Sequence, residues 1–151
     1  YAIWWGEQRR RLHETIGTTQ KALQENDARL HSIFDGSPVM QFVIGKDHRI
    51  IFWNRSLEEY SGISAKDVVG TDQQWRPFYT TKRPCLADLL VDGAIEKIPQ
   101  WYQGKFRQSQ FIEDAYEATD FFSGKGTAGK WLYFTAAPVR DIRGTIFSMA
   151  G

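Results

Sequence analysis

Cysteine occurs once in the 151 residues, at Cys85. An internal disulfide framework is therefore excluded, and the chain suits a reducing compartment. A lone cysteine reads first as a small buried hydrophobe. Histidine is nearly as scarce: His13, His31 and His48 share no ligand spacing with one another or with Cys85, so no metal site is legible. Net charge is lacking too, since 19 Lys and Arg stand against 18 Asp and Glu. That balance excludes the strong basic excess of a dedicated nucleic-acid binder. Repeats and low-complexity tracts are absent. Asp and Glu are scattered without an acid/base or nucleophile constellation, so no enzymatic activity is expected.

Rings are abundant, at 15% of the chain with six Trp. Such residues line pockets or build a core, and composition leaves both open. Residues 1–5, Tyr-Ala-Ile-Trp-Trp, are too few to span a bilayer. Followed at once by Arg9, Arg10 and Arg11, they read as the cytoplasmic end of a membrane helix or as a helix end with exposed aromatics. The chain stops at Gly151 inside an apolar run, which suggests a fragment of a longer protein.

Residues 7–34 are polar, with no Pro and a single Gly, Gly17. Ile16, Leu23 and Leu30 recur by sevens; Leu12, Thr19, Asn26 and Ile33 form a second seven-spaced row. This a/d pattern predicts a long helix that pairs with a second copy, Thr19 and Asn26 weakening the seam and Asn26 able to set register. The competing reading is a solvated helix lying on its own domain. The expected contacts of a homodimer are Leu12, Ile16, Leu23, Leu30 and Ile33.

The segment "SGKGTAGKW", residues 123–131, fits the frame G-x-x-x-x-G-K of a phosphate-binding loop. That chemistry needs a Ser or Thr after the lysine and a helix starting there. Here Trp131 follows Lys130, and the next residues are aromatic and β-forming, so the segment reads as a hairpin turn between two strands. Further strands are predicted over 39–44, 50–53, 116–122, 130–139 and 145–150. Asp35-Gly36-Ser37-Pro38 breaks the first helix. Asn54 caps a helix closing near Gly62, a helical turn covers 64–69, and residues 85–104 read as helical with Pro99 breaking or kinking them. Residues 108–115 are ambiguous. The order gives an α+β fold with a five-stranded antiparallel sheet.

This order and its punctuation resemble the PAS sensor family. "VIGKDHRIIFWNRSLEEYSGISAKDVVG" is similar to the family's opening: strand, Asp-containing hairpin, strand, helix-starting Asn54, then a helix closing on Ser61 and Gly62. "KWLYFTAAPVRDIRGTIFSMAG" is similar to its ending, a strand with Pro138, a hairpin over 141–144 and a final strand. The resemblance covers about residues 30–151. It implies a PAS fold with short helices on one face of the sheet over 35–151, preceded by a signalling helix over 1–34.

The resemblance further implies a sensory module of a larger membrane-anchored signalling protein, foremost a sensor histidine kinase of a two-component system. It would lie on the cytoplasmic side of the inner membrane, with an anchor N-terminal and an output domain C-terminal to this segment. No nucleic-acid partner is expected. The alternative is a ligand-free dimerisation and relay module, as in a cyclic-dinucleotide enzyme or chemoreceptor. Flavin photoreceptors of this fold carry a reactive Cys in an Asn-Cys-Arg-type motif, whereas Cys85 sits in Arg83-Pro84-Cys85-Leu86. Haem-binding members use a His on the helical segment, and residues 54–115 have none. No cofactor is expected, haem and covalent flavin least of all; a small organic ligand or a non-covalent flavin stays compatible with the sequence. The stretch "QQWRPFYTTKRP", residues 73–84, lies where the family shapes its cavity, and a guanidinium among rings suits a small carboxylate or aromatic anion. The competing reading is rings packing a core, with Arg76 paired to Asp72 or Asp88. The expected lining is Met40, Phe42, Trp75, Arg76, Tyr79, Trp101, Tyr133 and Thr135.

Overall fold

A computed structural model of the chain describes residues 2–123 and 128–143, with the backbone of residues 146–150. The chain divides into two units, Tyr1–Ser37 and Pro38–Gly151. The first is a single helix, α1 (Ala2–Asp35), of 34 residues. Its small polar residues do not interrupt it, because their hydroxyls are satisfied along the helix itself. Thr15, Thr18, Thr19 and Ser32 donate to the carbonyls four residues back, each at 2.9 Å. The helix ends where the Gly36 N–H donates to the Ser32 carbonyl at 2.9 Å. None of its residues is buried.

The second unit runs β1 (Phe42–Gly45), β2 (Ile50–Trp53), α2 (Arg55–Ser61), α3 (Ala65–Val68) and α4 (Leu86–Val91). A 3₁₀ turn (Ile95–Lys97), α5 (Ile98–Tyr102), β3 (Phe106–Gln108), β4 (Tyr116–Phe122), β5 (Lys130–Arg140) and β6 (Ile146–Ala150) complete it. The strand order is β2-β1-β6-β5-β4-β3, and every neighbouring pair is antiparallel. β5 joins two ladders: its residues 130–136 pair with β4, and 137–140 pair with β6. The expected sheet of five strands is thus corrected to six strands in two ladders sharing β5. The added strand, β3, pairs Phe106 with Ala118 and Gln108 with Tyr116. Three residues, two of them polar, are too few to show an alternation in sequence.

Asn54 caps α2 as its sequence position predicts: its side-chain oxygen accepts from the Leu57 N–H at 3.1 Å. Gly62 then ends the helix at φ 68, a left-handed conformation that glycine adopts without Cβ strain. Pro99 starts α5 instead of kinking a longer helix, and in that first turn its missing N–H costs nothing. The phosphate-loop context is absent, because Lys130 opens β5, and its neighbour Phe122 across the ladder ends β4. Residues 124–127 of that loop lie outside the described residues. Gly129 has a packing role instead: a Cβ there would meet the Phe121 ring, which would have to shift.

The core gathers Phe42, Ile44, Ile50, Trp53, Leu57, Val68 and most of α4, with Ile98, Tyr102, Ala118 and Ala136. Leu86, Ala87, Asp88, Leu89 and Leu90 are all buried, so α4 is the central helix of the unit. Val91, at its end, is half-buried.

Candidate ligand site

The 73–84 stretch folds into a turn in which the Phe78 and Tyr79 N–H groups donate to the Trp75 carbonyl at 3.0 and 2.9 Å. Spacings of three and four residues put Trp75, Phe78 and Tyr79 on one side and leave Arg76 on the other. The rings enter the core cluster. Arg76 is exposed, and its guanidinium donates to Gln73 Oε1 at 2.7 Å. The anion-gripping role expected of Arg76 therefore finds no support in its placement. Neither suggested acidic partner is taken by it either: Asp72 accepts from Lys82 at 2.6 Å, and Asp88 bonds His48. The lysine's hydrogen bond holds the Asp72 carboxyl below its ordinary range.

The arginine among the rings is Arg83. Its guanidinium carbon lies 4.0 Å from the Tyr79 ring centre, 4.8 Å from Trp101 and 5.3 Å from Tyr102. Nη2 donates to the Trp101 carbonyl at 3.3 Å, and Nη1 stands 3.9 Å from Asp120. Nε is buried without a partner, as is the indole nitrogen of Trp75. Behind this cage the rings continue. Phe78 and Tyr79 each lie 5.4 Å from Phe122, Phe122 lies 6.1 Å from Phe134, and Tyr102 lies 5.7 Å from Phe134. Phe42 joins at 6.4 Å from Phe78. The Tyr79 and Tyr102 hydroxyls approach to 3.5 Å. Burial pushes the Tyr79 phenol up to about 12 and the Tyr102 phenol higher still, so both stay neutral donors at physiological pH.

Of the lining residues expected from sequence, Phe42 and Tyr79 belong to this ring cluster, and Met40 and Trp75 pack on the same core. Trp101 stands at its rim, 38% exposed. Tyr133 and Thr135 do not enter. Side chains alternate along β5, so Leu132, Phe134 and Ala136 turn inward, whereas Trp131 and Tyr133 are exposed. Tyr133 instead hydrogen-bonds Glu117, whose carboxyl is lowered by that bond first and then by Arg107 at 2.6 Å and Ser109 at 2.9 Å. Thr135 is the ladder partner of Glu117 on that other face. Arg83, Phe78, Tyr102, Phe122 and Phe134 are the cluster members that the expected lining lacked. A strict two-residue period counted back from Pro138 would have selected Phe134 over Tyr133; no sequence signal distinguishes Arg83 from Arg76. Cys85 is buried and burial pushes its thiol well up, which removes it as a nucleophile. Among the described residues no group of three or more His, Cys, Asp or Glu could hold a metal ion, and no helix is long and apolar enough to cross a membrane.

Residues 28–93 match the sequence model of the PAS domain family. Solved structures agree on the fold. The PAS domain of BvgS from Bordetella pertussis superposes with a TM-score of 0.51 at 15% identity, covering 83% of this chain and 81% of that one. The PAS domain of an HTR-like protein from Haloarcula marismortui gives 0.53 at 15% identity, covering 89% and 94%. An RNA-binding Light-Oxygen-Voltage receptor gives 0.53 at 16% identity, covering 83% of this chain but 31% of its own. At such identities the likeness concerns the fold alone. No curated protein sequence matches the chain. The chain has a PAS fold, preceded in sequence by a long helix.

Proposed function

We propose that this chain is the sensory and relay segment of a membrane-anchored signalling protein of the sensor histidine kinase kind, with a small organic anion as its ligand and α1 as its relay. The observation that carries the ligand reading is Arg83. A guanidinium flanked by three rings, with Nε unpartnered and two neutral phenols beside it, suits a planar or carboxylate-bearing molecule. Neither haem nor covalent flavin fits this donor set: residues 54–115 hold no His, and Cys85 is a buried, protonated thiol. The relay reading rests on α1, where Leu12, Ile16, Leu23, Leu30 and Ile33 are 47–66% exposed and so remain available to a second copy. Parallel pairing would bring both N-termini to one membrane face. There Ile3, Trp4 and Trp5 are exposed just ahead of Arg9, Arg10 and Arg11, as an interfacial belt and its inner positive charge require. The output domain would follow Gly151.

A ligand-free relay module is the second reading. It is favoured by the Arg83–Asp120 approach at 3.9 Å, which a purely structural brace would also make. Thermal unfolding against a panel of small aliphatic and aromatic carboxylates separates the two. At a concentration about 100-fold above its Kd, a true ligand stabilises by about 2.7 kcal/mol, or about 10 °C for a domain of this size. The rise should vanish in Arg83→Met and persist in Arg76→Ala. A panel that shifts nothing, or an Arg83→Met protein that responds like the parent, would refute the ligand reading and leave the relay.

A further inference from the structure

The β1–β2 turn carries His48 at φ 63, a left-handed conformation that His and Asn accept more readily than most residues. Both ring nitrogens are engaged. Nδ1 lies 2.7 Å from Asp88 Oδ1, and Nε2 lies 2.7 Å from Asp92 Oδ1. The two carboxylates are one helical turn apart, Asp88 within α4 and Asp92 at its C-cap. A neutral imidazole has one N–H, so one nitrogen would point a lone pair at a carboxylate; only the imidazolium donates to both. Asp88 cannot turn away to relieve that clash. Its Oδ2 accepts from the Cys85 N–H at 2.8 Å and its Oδ1 also accepts from Gln74 Nε2 at 2.7 Å, in a buried setting.

We propose that His48, Asp88 and Asp92 form a proton-operated latch, which ties the β1–β2 turn to the central helix α4 while His48 is protonated and frees the turn when the proton leaves. This does not depend on the ligand reading at Arg83. The groups around the ring leave little else to answer the proton. From α4, the facing charges are Asp88 and Asp92. From the 70–74 segment comes Gln74, which is neutral and also donates to the His48 carbonyl at 3.3 Å. Within the turn, Asp47 and Arg49 stand 3.9 Å apart, and Arg49 donates to the Gly70 carbonyl at 2.6 Å. β6, which pairs with β1, has no charged residue in its sequence.

Burial alone would lower the affinity of His48 for a proton, but its bonds to Asp88 and Asp92 outweigh that and leave it raised above 6.5. A raised folded value means that the latch contributes fully below the ordinary histidine range. It is lost as pH climbs through the folded value, so the turn loosens on the alkaline side.

The test follows the imidazole resonances and the amide exchange of the 151-residue chain. The His48 ring should titrate above 6.5, the ordinary value. The protection factors of the Gly45 and His48 amides, whose bonds close the turn, should fall about tenfold between about pH 6 and about pH 8.5. His48→Asn, which tolerates the same φ, should show low protection at both pH values. Asp92→Asn removes only an exposed carboxylate, so the fold is kept; it should move the His48 midpoint toward 6.5 and shrink the fall in protection. A His48 midpoint at or below 6.5, a pH-independent turn in the parent, an unchanged fall in His48→Asn, or a midpoint indifferent to Asp92→Asn would each overturn the latch.

Discussion

Asn54 is a polar side chain with no solvent exposure, and its tolerance of that position is explained by its partners. Its oxygen accepts from the Gln41 N–H at 2.9 Å and the Leu57 N–H at 3.1 Å, while its amide donates to the Val39 carbonyl at 2.8 Å. One side chain thus caps α2 and fastens the strand entry at 39–41. Asn54→Ala removes the cap, worth about 1 kcal/mol, and strands buried backbone groups at about 1–3 kcal/mol each. A loss of at least about 3 kcal/mol is expected by urea unfolding, with Asn54→Ser intermediate because its hydroxyl keeps the cap but not the reach to Val39. Equal losses in the two variants would show that the cap contributes nothing. The capping role is legible in sequence, since an Asn between a strand and an apolar helix has few other uses. The bonds to residues 39 and 41 are not, because nothing local announces a partner 13–15 residues back.

At the scale of elements, α1 and β5 show opposite limits. Heptad spacing in α1 is a local property, and the helix forms where the pattern runs. Whether the stripe is covered is not local. Each of Leu12, Ile16, Leu23, Leu30 and Ile33 would gain roughly 1.5–3 kcal/mol on full burial, and an isolated helix has nowhere to bury them. The Thr19 hydroxyl already donates to the Thr15 carbonyl at 2.9 Å, so this polar seam position would enter a dimer with its donor satisfied. Leu23→Asp would place two like charges across a parallel seam. Sedimentation should show the parent as a dimer and the variant shifted toward monomer, with the signal of the folded 39–151 unit retained. A parent monomer, or a dimer indifferent to the change, would end the pairing proposal. In β5 the strand itself is plain from its residues, but the face is decided by register with β4. A shift of one residue exchanges Phe134 for Tyr133 in the core.

Across the whole molecule, the core cluster is drawn from residues 40 onward, with Met40 and Phe42 as its first members. The Pro38–Gly151 unit therefore holds its own packed interior, and a chain starting at Pro38 should keep a cooperative melting transition. Its near-ultraviolet circular dichroism should be retained as well, because the coupled rings of Phe42, Phe78, Tyr79, Tyr102, Phe122 and Phe134 all lie within it. The truncated chain should also lose the self-association assigned to α1. Non-cooperative melting or a lost aromatic signal would show that the unit needs its helix to fold.

Sequence alone determined what depends on neighbours along the chain. Heptad spacing set α1, Asn54 and Gly62 set the ends of α2, and Trp131 after Lys130 excluded a phosphate loop. These suffice for a PAS fold, because the family's order of elements is written in local punctuation. Tertiary structure alone decided which arginine meets the rings, since Arg76 and Arg83 sit in the same loop and only the Trp75–Tyr79 turn separates their directions. It also decided the sixth strand, which exists because β4 offers Phe106–Gln108 a free edge, and the junction of two ladders within β5. The His48 latch belongs there too. Its carboxylates lie 40 and 44 residues away, and only packing of the β1–β2 turn on α4 brings three titratable groups within hydrogen-bond reach.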